Sequence, residues 1–135
     1  MAIFTGDTKN TTAVRCAMKI SWAVDEIIRP ALNDQYPSSK FNLKHVIGVD
    51  TSQLRTARIG VHGDNDLVWI GRAANYAAKL TSLSDDAIWI TKSVYDRIMK
   101  DVKYANGTGT HMWKEHYWTS MNNMLVYSTS YRWPV

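Results

Sequence analysis

The side chains with chemistry to offer lie in two short stretches. Ile70-Gly71-Arg72-Ala73-Ala74-Asn75-Tyr76-Ala77-Ala78-Lys79-Leu80 joins a Gly turn to an Ala-rich helical run. In a helix, the interval from Asn75 to Lys79 sets a carboxamide and an ammonium on one face, one turn apart. The carboxamide both donates and accepts hydrogen bonds, whereas the ammonium only donates and faces anions. Nearer the start, Ala2-Ile3-Phe4-Thr5-Gly6-Asp7 reads as an apolar strand that ends in a Gly-Asp turn. Such a turn presents the Asp7 carboxylate at a sheet edge.

The elements that must position these groups follow from periodicity. Residues 2–5 are expected to be the end of a strand. Asn10, Thr11 or Thr12 then caps a helix in which Ala13, Ala17, Ile20, Val24, Ile27, Ile28 and Ala31 form one apolar stripe. Pro30 is expected to kink or end it. Phe41, Leu43, His45, Ile47 and Val49 alternate with other residues at the period of a strand, with His45 on the apolar side as a packed core histidine. Residues 56–61 and 67–70 flank the turn-rich His62-Gly63-Asp64-Asn65-Asp66, a hairpin pattern. The acids there lack the ligand spacing of a calcium loop and read as a solvated turn.

After the Ala-rich helix come a strand over 87–91 and a helix opened by Thr91 or Ser93, with Val94, Ile98 and Val102 on its apolar side. Asn106-Gly107-Thr108-Gly109 reads as a loop. Residues 112–118 and 124–133 form a closing hairpin around Asn122-Asn123. With no internal repeat, the reading is one α+β domain over residues 1–135 with substantial antiparallel pairing.

Composition narrows the class. Of the 135 residues, 45% are hydrophobic, enough for a core. The one cysteine, Cys16, has no thiol partner and reads as a buried thiol in a reducing compartment. No apolar run approaches the roughly 20 residues of a membrane span, and no signal peptide opens the chain, so a cytoplasmic protein without a membrane partner is expected. The net charge of +4 suits a polyanionic ligand, but Lys and Arg are scattered rather than blocked as in a nucleic-acid tail. The six tryptophans sit mostly in strand-like contexts, where core packing is expected over a base-stacking RNA platform.

In order, Gly6-Asp7, His45-Val46-Ile47-Gly48-Val49-Asp50, Gly71/Asn75/Lys79 and Ile88-Trp89-Ile90-Thr91-Lys92-Ser93-Val94-Tyr95 resemble the motifs of class III nucleotidyl cyclases. The resemblance implies a two-layer, ferredoxin-like α+β core with a mixed, largely antiparallel sheet. It also implies attack of a ribose 3′-oxygen on the α-phosphorus of a nucleoside triphosphate, with pyrophosphate expelled. By the same resemblance Asn75 orients the ribose, Lys79 stabilises charge on the α-phosphate, and Asp7, on a hairpin between two strands, holds metal. Two divalent ions, Mn2+ or Mg2+, are implied as cofactors. Lys79 stands where the family usually has Arg, keeping the charge but losing the planar fork.

Purine cyclases read the base edge from positions that here are Ile3 and Val68, neither of which hydrogen-bonds through its side chain. The chain therefore most resembles the bacterial pyrimidine cyclases of antiphage (Pycsar) defence, which make cyclic UMP or cyclic CMP. Ile3, Phe4, Thr5, Gly6, Val68 and Arg72 are the implied substrate-binding positions. The family's late-hairpin Lys has no counterpart in residues 120–126, leaving Arg55, Arg58, Arg72 and Arg132 as replacements. The family's first metal carboxylate lies well upstream of its Gly-Asp turn, ahead of Met1. The expectation is thus an N-terminally incomplete cyclase domain, lacking its first strand and helices and inactive alone. The implied assembly is a homodimer, and the implied product cyclic UMP. Alternatives are a cytidylate cyclase, and a noncatalytic cyclase-like module that binds nucleotide or dimerises.

Overall fold

Ile88, Ile90 and Trp89 point to opposite faces of one strand, and all three are buried, so this strand must be covered on both sides. In the computed structural model, which describes residues 1–59, 66–84, 86–105 and 109–135, that strand (β4, Ile88–Thr91) is central to a four-stranded sheet. On one side it pairs in parallel with β1 (Ile47–Val49), and on the other antiparallel with β6 (Met124–Thr129). Strand β5 (Lys114–Trp118) closes the order β1-β4-β6-β5 by antiparallel pairing with β6. A separate two-stranded ribbon, β2 (Arg55–Ile59) with β3 (Asp66–Ile70), pairs Ala57 with Val68 and Thr56 with Trp69. Of the expected hairpin turn and acid cluster at 62–66, residues 62–65 lie outside the described residues, as do residues 106–108 of the loop expected at 106–109. The fold is α+β with a mixed, largely antiparallel sheet.

One face of the sheet packs Ile88, Ile90 and Tyr127 against Val14, Ala17 and Met18 of helix α1 (Lys9–Ala23) and against Val94, Ile98 and Val102. Val94 belongs to the short helix α4 (Lys92–Tyr95) and Val102 to a 3-10 turn, Lys100–Val102. The other face gathers Trp89, Trp118 and Val126 around Leu80, the last residue of helix α3 (Arg72–Leu80). Trp89, Trp113 and Trp118 are buried, which places them in the core as expected and away from any base-stacking surface.

Several expectations fail at places where the missing ingredient is long-range. Residues 2–5 form no strand. An apolar, alternating segment becomes a strand only with a ladder partner, and Ile3 and Phe4 instead line a cavity beside α1 and β1. The strand expected over 41–49 contracts to Ile47–Val49, and Phe41 is 67% exposed. Ahead of it the Leu43 carbonyl is taken by the Arg29 guanidinium at 3.0 Å, in place of a sheet partner.

Helix α1 starts at Lys9, so its N-cap is Thr8 rather than Asn10, Thr11 or Thr12. Thr11 is buried in the first turn, where its hydroxyl accepts from the Met99 N–H at 3.0 Å. Pro30 does not end the helix. A π-helical turn, Val24–Ile28, widens the backbone first, and Pro30 then sits in the first turn of α2 (Arg29–Gln35), where its missing N–H costs least. His45 is half-buried, with Nε2 3.1 Å from the Ser21 hydroxyl.

Candidate functional site around helix α3

Ala-rich composition makes 72–80 a strong helix former, but its first residue follows Gly71, which has no side chain to cap it. The cap comes from elsewhere: the Ser52 hydroxyl, on the β1–β2 connection, accepts from the Ala73 N–H at 3.0 Å. Gly71 is required by close approach, since a Cβ there would sit 2.6 Å from Leu54 Cδ2 and 2.9 Å from the Gln53 carbonyl oxygen. On the facing strand Gly48 does the same for the helix body. A Cβ at Gly48 would lie 2.1 Å from the Ala77 carbonyl oxygen. The two glycines together let α3 lie directly on β1 and the connection that follows it.

Asn75 and Lys79 fall one turn apart on α3, as their spacing predicts, and both are exposed. The Lys79 ammonium lies 3.9 Å from Met121 Sδ, in the 3-10 turn Thr119–Met121 between β5 and β6. A different side of the helix, Ala73, Ala74, Ala77 and Ala78, lines a cavity of about 470 Å³ that also touches α1, β1 and residues 1–4. Ile3 and Phe4 face this cavity. Val68 does not; it is 37% exposed, and its neighbour Trp69 lines the cavity instead, as strand alternation requires. Thr5, Gly6 and Asp7 are exposed and outside the cavity lining, as are Asn75 and Lys79. The chain thus joins Ile3 and Phe4 to the alanine side of α3, and leaves Asp7, Val68 and the Asn75–Lys79 pair on open surface.

The Gly-Asp turn departs from expectation. Gly6 has φ +88°, the left-handed conformation that favours glycine. The turn leads straight into α1, not into a second strand, so Asp7 is on a strand-free turn rather than a hairpin. Among the described residues no three His, Cys, Asp or Glu side chains come together. Asp7 therefore belongs to no such cluster among the described residues.

Of the arginines considered for the triphosphate, Arg132 is engaged by Asp25 at 2.7 Å and Glu26 at 3.2 Å. Arg72 donates to the Thr51 carbonyl at 3.0 Å, lies 3.7 Å from Asp50 Oδ2 and covers the Tyr76 ring at 5.0 Å. Arg55 and Arg58 are exposed on β2. Asp50 and Ser52 were not singled out from sequence. The available signal was an Asp closing an apolar strand, followed at once by Thr51-Ser52, residue types that satisfy helix N-termini.

No helix among the described residues is long and apolar enough to cross a membrane. No protein-family profile matches the sequence. The whole chain is 53% identical to a protein named uridylate cyclase from Burkholderia cepacia, covering 57% of that protein. It is 52% identical over its whole length to a uridylate cyclase from Xanthomonas perforans, covering 58% of it. A third uridylate cyclase, from Rhodovulum sp. (strain MB263), is 37% identical over 97% of this chain and is covered to 57%. The chain thus spans little more than half the length of these relatives. The chain is thus similar through all 135 residues to bacterial proteins named uridylate cyclase, in line with the cyclase resemblance of its motifs.

Proposed function

We propose that this chain carries the transition-state residues of a pyrimidine nucleotide cyclase that converts UTP to 3′,5′-cyclic UMP and pyrophosphate. The carrying observation is the pairing of Asn75 and Lys79 on the exposed face of α3, within a sequence similar throughout to proteins named uridylate cyclase. In the reaction the ribose 3′-hydroxyl gives its proton to solvent, the O3′–Pα bond forms and the bond from Pα to the bridging oxygen breaks, pyrophosphate leaving with that oxygen. Asn75 holds the ribose so that O3′ lies in line with the leaving pyrophosphate. Lys79 offers a positive charge to the α-phosphate oxygens as their charge grows.

Exposure of this pair away from the chain's own cavity supports a site completed by a second subunit, as expected of a homodimer with two equivalent sites. Asp7, on its exposed turn, is the carboxylate this chain brings to divalent cations, Mn2+ or Mg2+. Such ions need further ligands than Asp7, and none of the steps assigned to Asn75 and Lys79 runs through them. In the cytoplasm of an infected bacterium the product would serve as the second messenger of antiphage defence. Pyrimidine choice rests on Ile3 and Val68, which offer no hydrogen bond to a purine edge, and uracil over cytosine on the relatives' names alone.

The test is competition between UTP, CTP, ATP and GTP at equal concentration in the complete protein with Mn2+. Cyclic UMP should dominate, since an unpaired purine edge costs about 1–3 kcal/mol. Dominant cyclic AMP or cyclic GMP removes the pyrimidine assignment. No cyclic product under any condition favours the noncatalytic module.

A further inference from the structure

The direction in which Asn75 and Lys79 point depends on how α3 is rotated about its own axis, and the first turn of α3 is held by three successive residues after β1. Ser52 caps the Ala73 N–H, Thr51 offers its carbonyl to Arg72, and Asp50 faces the same guanidinium. The Asp50 side chain is wholly buried. Its Oδ1 accepts from the Thr91 hydroxyl at 2.5 Å, whereas Oδ2 accepts no hydrogen bond from the described residues and lies 3.7 Å from Arg72. Burying a carboxylate with half its hydrogen-bonding capacity unused destabilises a fold relative to an apolar residue of similar volume. Stability alone therefore gives no reason for an Asp here.

Arg72 gives one. Its guanidinium is engaged on three sides, by the Thr51 carbonyl, the Asp50 carboxylate and the Tyr76 ring one helical turn on. Ser52 and Arg72 grip the helix at different points around its circumference, and two such points fix rotation as well as position. Side-chain tips lie about 5–6 Å from a helix axis. A rotation of about 10° thus moves the Asn75 carboxamide by about 1 Å, a displacement on the scale that costs about 10²-fold in rate.

We propose that Asp50, acting through Arg72, is a positioning residue that fixes the rotation of α3 and so the aim of Asn75 and Lys79. On this account Arg72 serves the clamp and not the triphosphate. The proposal rests on the reading of Asn75 and Lys79 as the cyclase pair. Tyr76 extends the clamp by holding the guanidinium over its ring.

The experiment measures cyclisation of UTP by the complete protein carrying Asp50→Asn, Arg72→Ala, both together, or Asn75→Ala. Asp50→Asn keeps an acceptor for Thr91 and removes the charge facing Arg72. Arg72→Ala removes the other half of the clamp from a side chain that is 43% exposed, so it carries the test even if the buried substitution hinders folding. Each clamp variant should lower kcat by about 10- to 100-fold, with KM for UTP changed less than about threefold. The double variant should be no worse than the poorer single, because the two residues form one device. Losses that multiply, an unchanged kcat in Arg72→Ala, or a rise of KM at constant kcat in that variant would each overturn the proposal. If Asn75→Ala leaves turnover intact, the cyclase reading of α3 fails. If Asn75→Ala abolishes turnover while the clamp variants keep full kcat, the positioning role alone fails.

Discussion

Gly48→Ala tests the seating of α3 on β1 with a single methyl group. Built on the existing backbone, the added Cβ lies 2.1 Å from the Ala77 carbonyl oxygen and 2.8 Å from Leu80 Cβ. Even close C–H···O contacts between backbones keep carbon and oxygen about 3.3 Å apart, so the helix must retreat by about 1 Å. No rotamer change relieves the clash, because one obstacle is main chain and the other a Cβ fixed by the helix. Overpacking of this kind costs about 1–3 kcal/mol, and the upper end is expected where the backbone itself must move. The same retreat carries Asn75 and Lys79 with it, and a shift of about 1 Å in catalytic groups costs about 10²-fold. Urea denaturation and UTP cyclisation measured on one preparation check both numbers. A Gly48→Ala protein with an unchanged denaturation midpoint and turnover within about twofold of the parent would refute the reasoning, since α3 would then not rest on β1 as described.

Other consequences are more local. Asn75→Ala and Lys79→Ala should each lower kcat by about 10²-fold or more with smaller changes in nucleotide binding, and an effect confined to KM would contradict their roles. Asp7→Ala should abolish turnover without loss of helical circular dichroism, because the side chain is exposed on a turn; full activity would remove Asp7 from the metal role. Burial holds the His45 pKa below its ordinary 6.5, against a smaller upward pull from Asp25. The unfolded chain therefore takes up that proton more readily, so stability is complete above about pH 6.5 and falls as pH drops from there toward the folded pKa. His45→Gln should flatten this part of the pH–stability curve, and an unaltered slope between pH 7 and pH 5 would count against it. The Tyr127 phenol is pushed up to about 12, first by burial and then by Glu115. Its folded-state contribution is present below about pH 10 and is lost as pH rises toward 12. Tyrosinate absorbance should lose its latest-titrating phenol in Tyr127→Phe.

Much of the site was legible because its determinants are local. The Ala-rich run after Gly71 forms α3 on propensity, and the four-residue interval alone places Asn75 and Lys79 one turn apart on one face. The closing hairpin was equally legible. Asn122 and Asn123 adopt φ of 55° and 54°, a left-handed conformation that Asn tolerates better than most residues, between the alternating runs that became β5 and β6.

Strand formation at residues 2–5 and 41–46 was not legible, since alternation describes a segment's faces and says nothing about whether a ladder partner lies beside it. The hairpin that the cyclase resemblance implied at Asp7 is absent, whereas the helix read from the apolar stripe that follows is present as α1. Only the tertiary structure decided what aims Asn75 and Lys79. Gly48 meets Ala77, Ser52 meets Ala73 and Asp50 meets Arg72 across sequence separations of 21 residues or more. Local periodicity chose the helix and its two faces; the packing of distant backbone against that helix chose which way they turn.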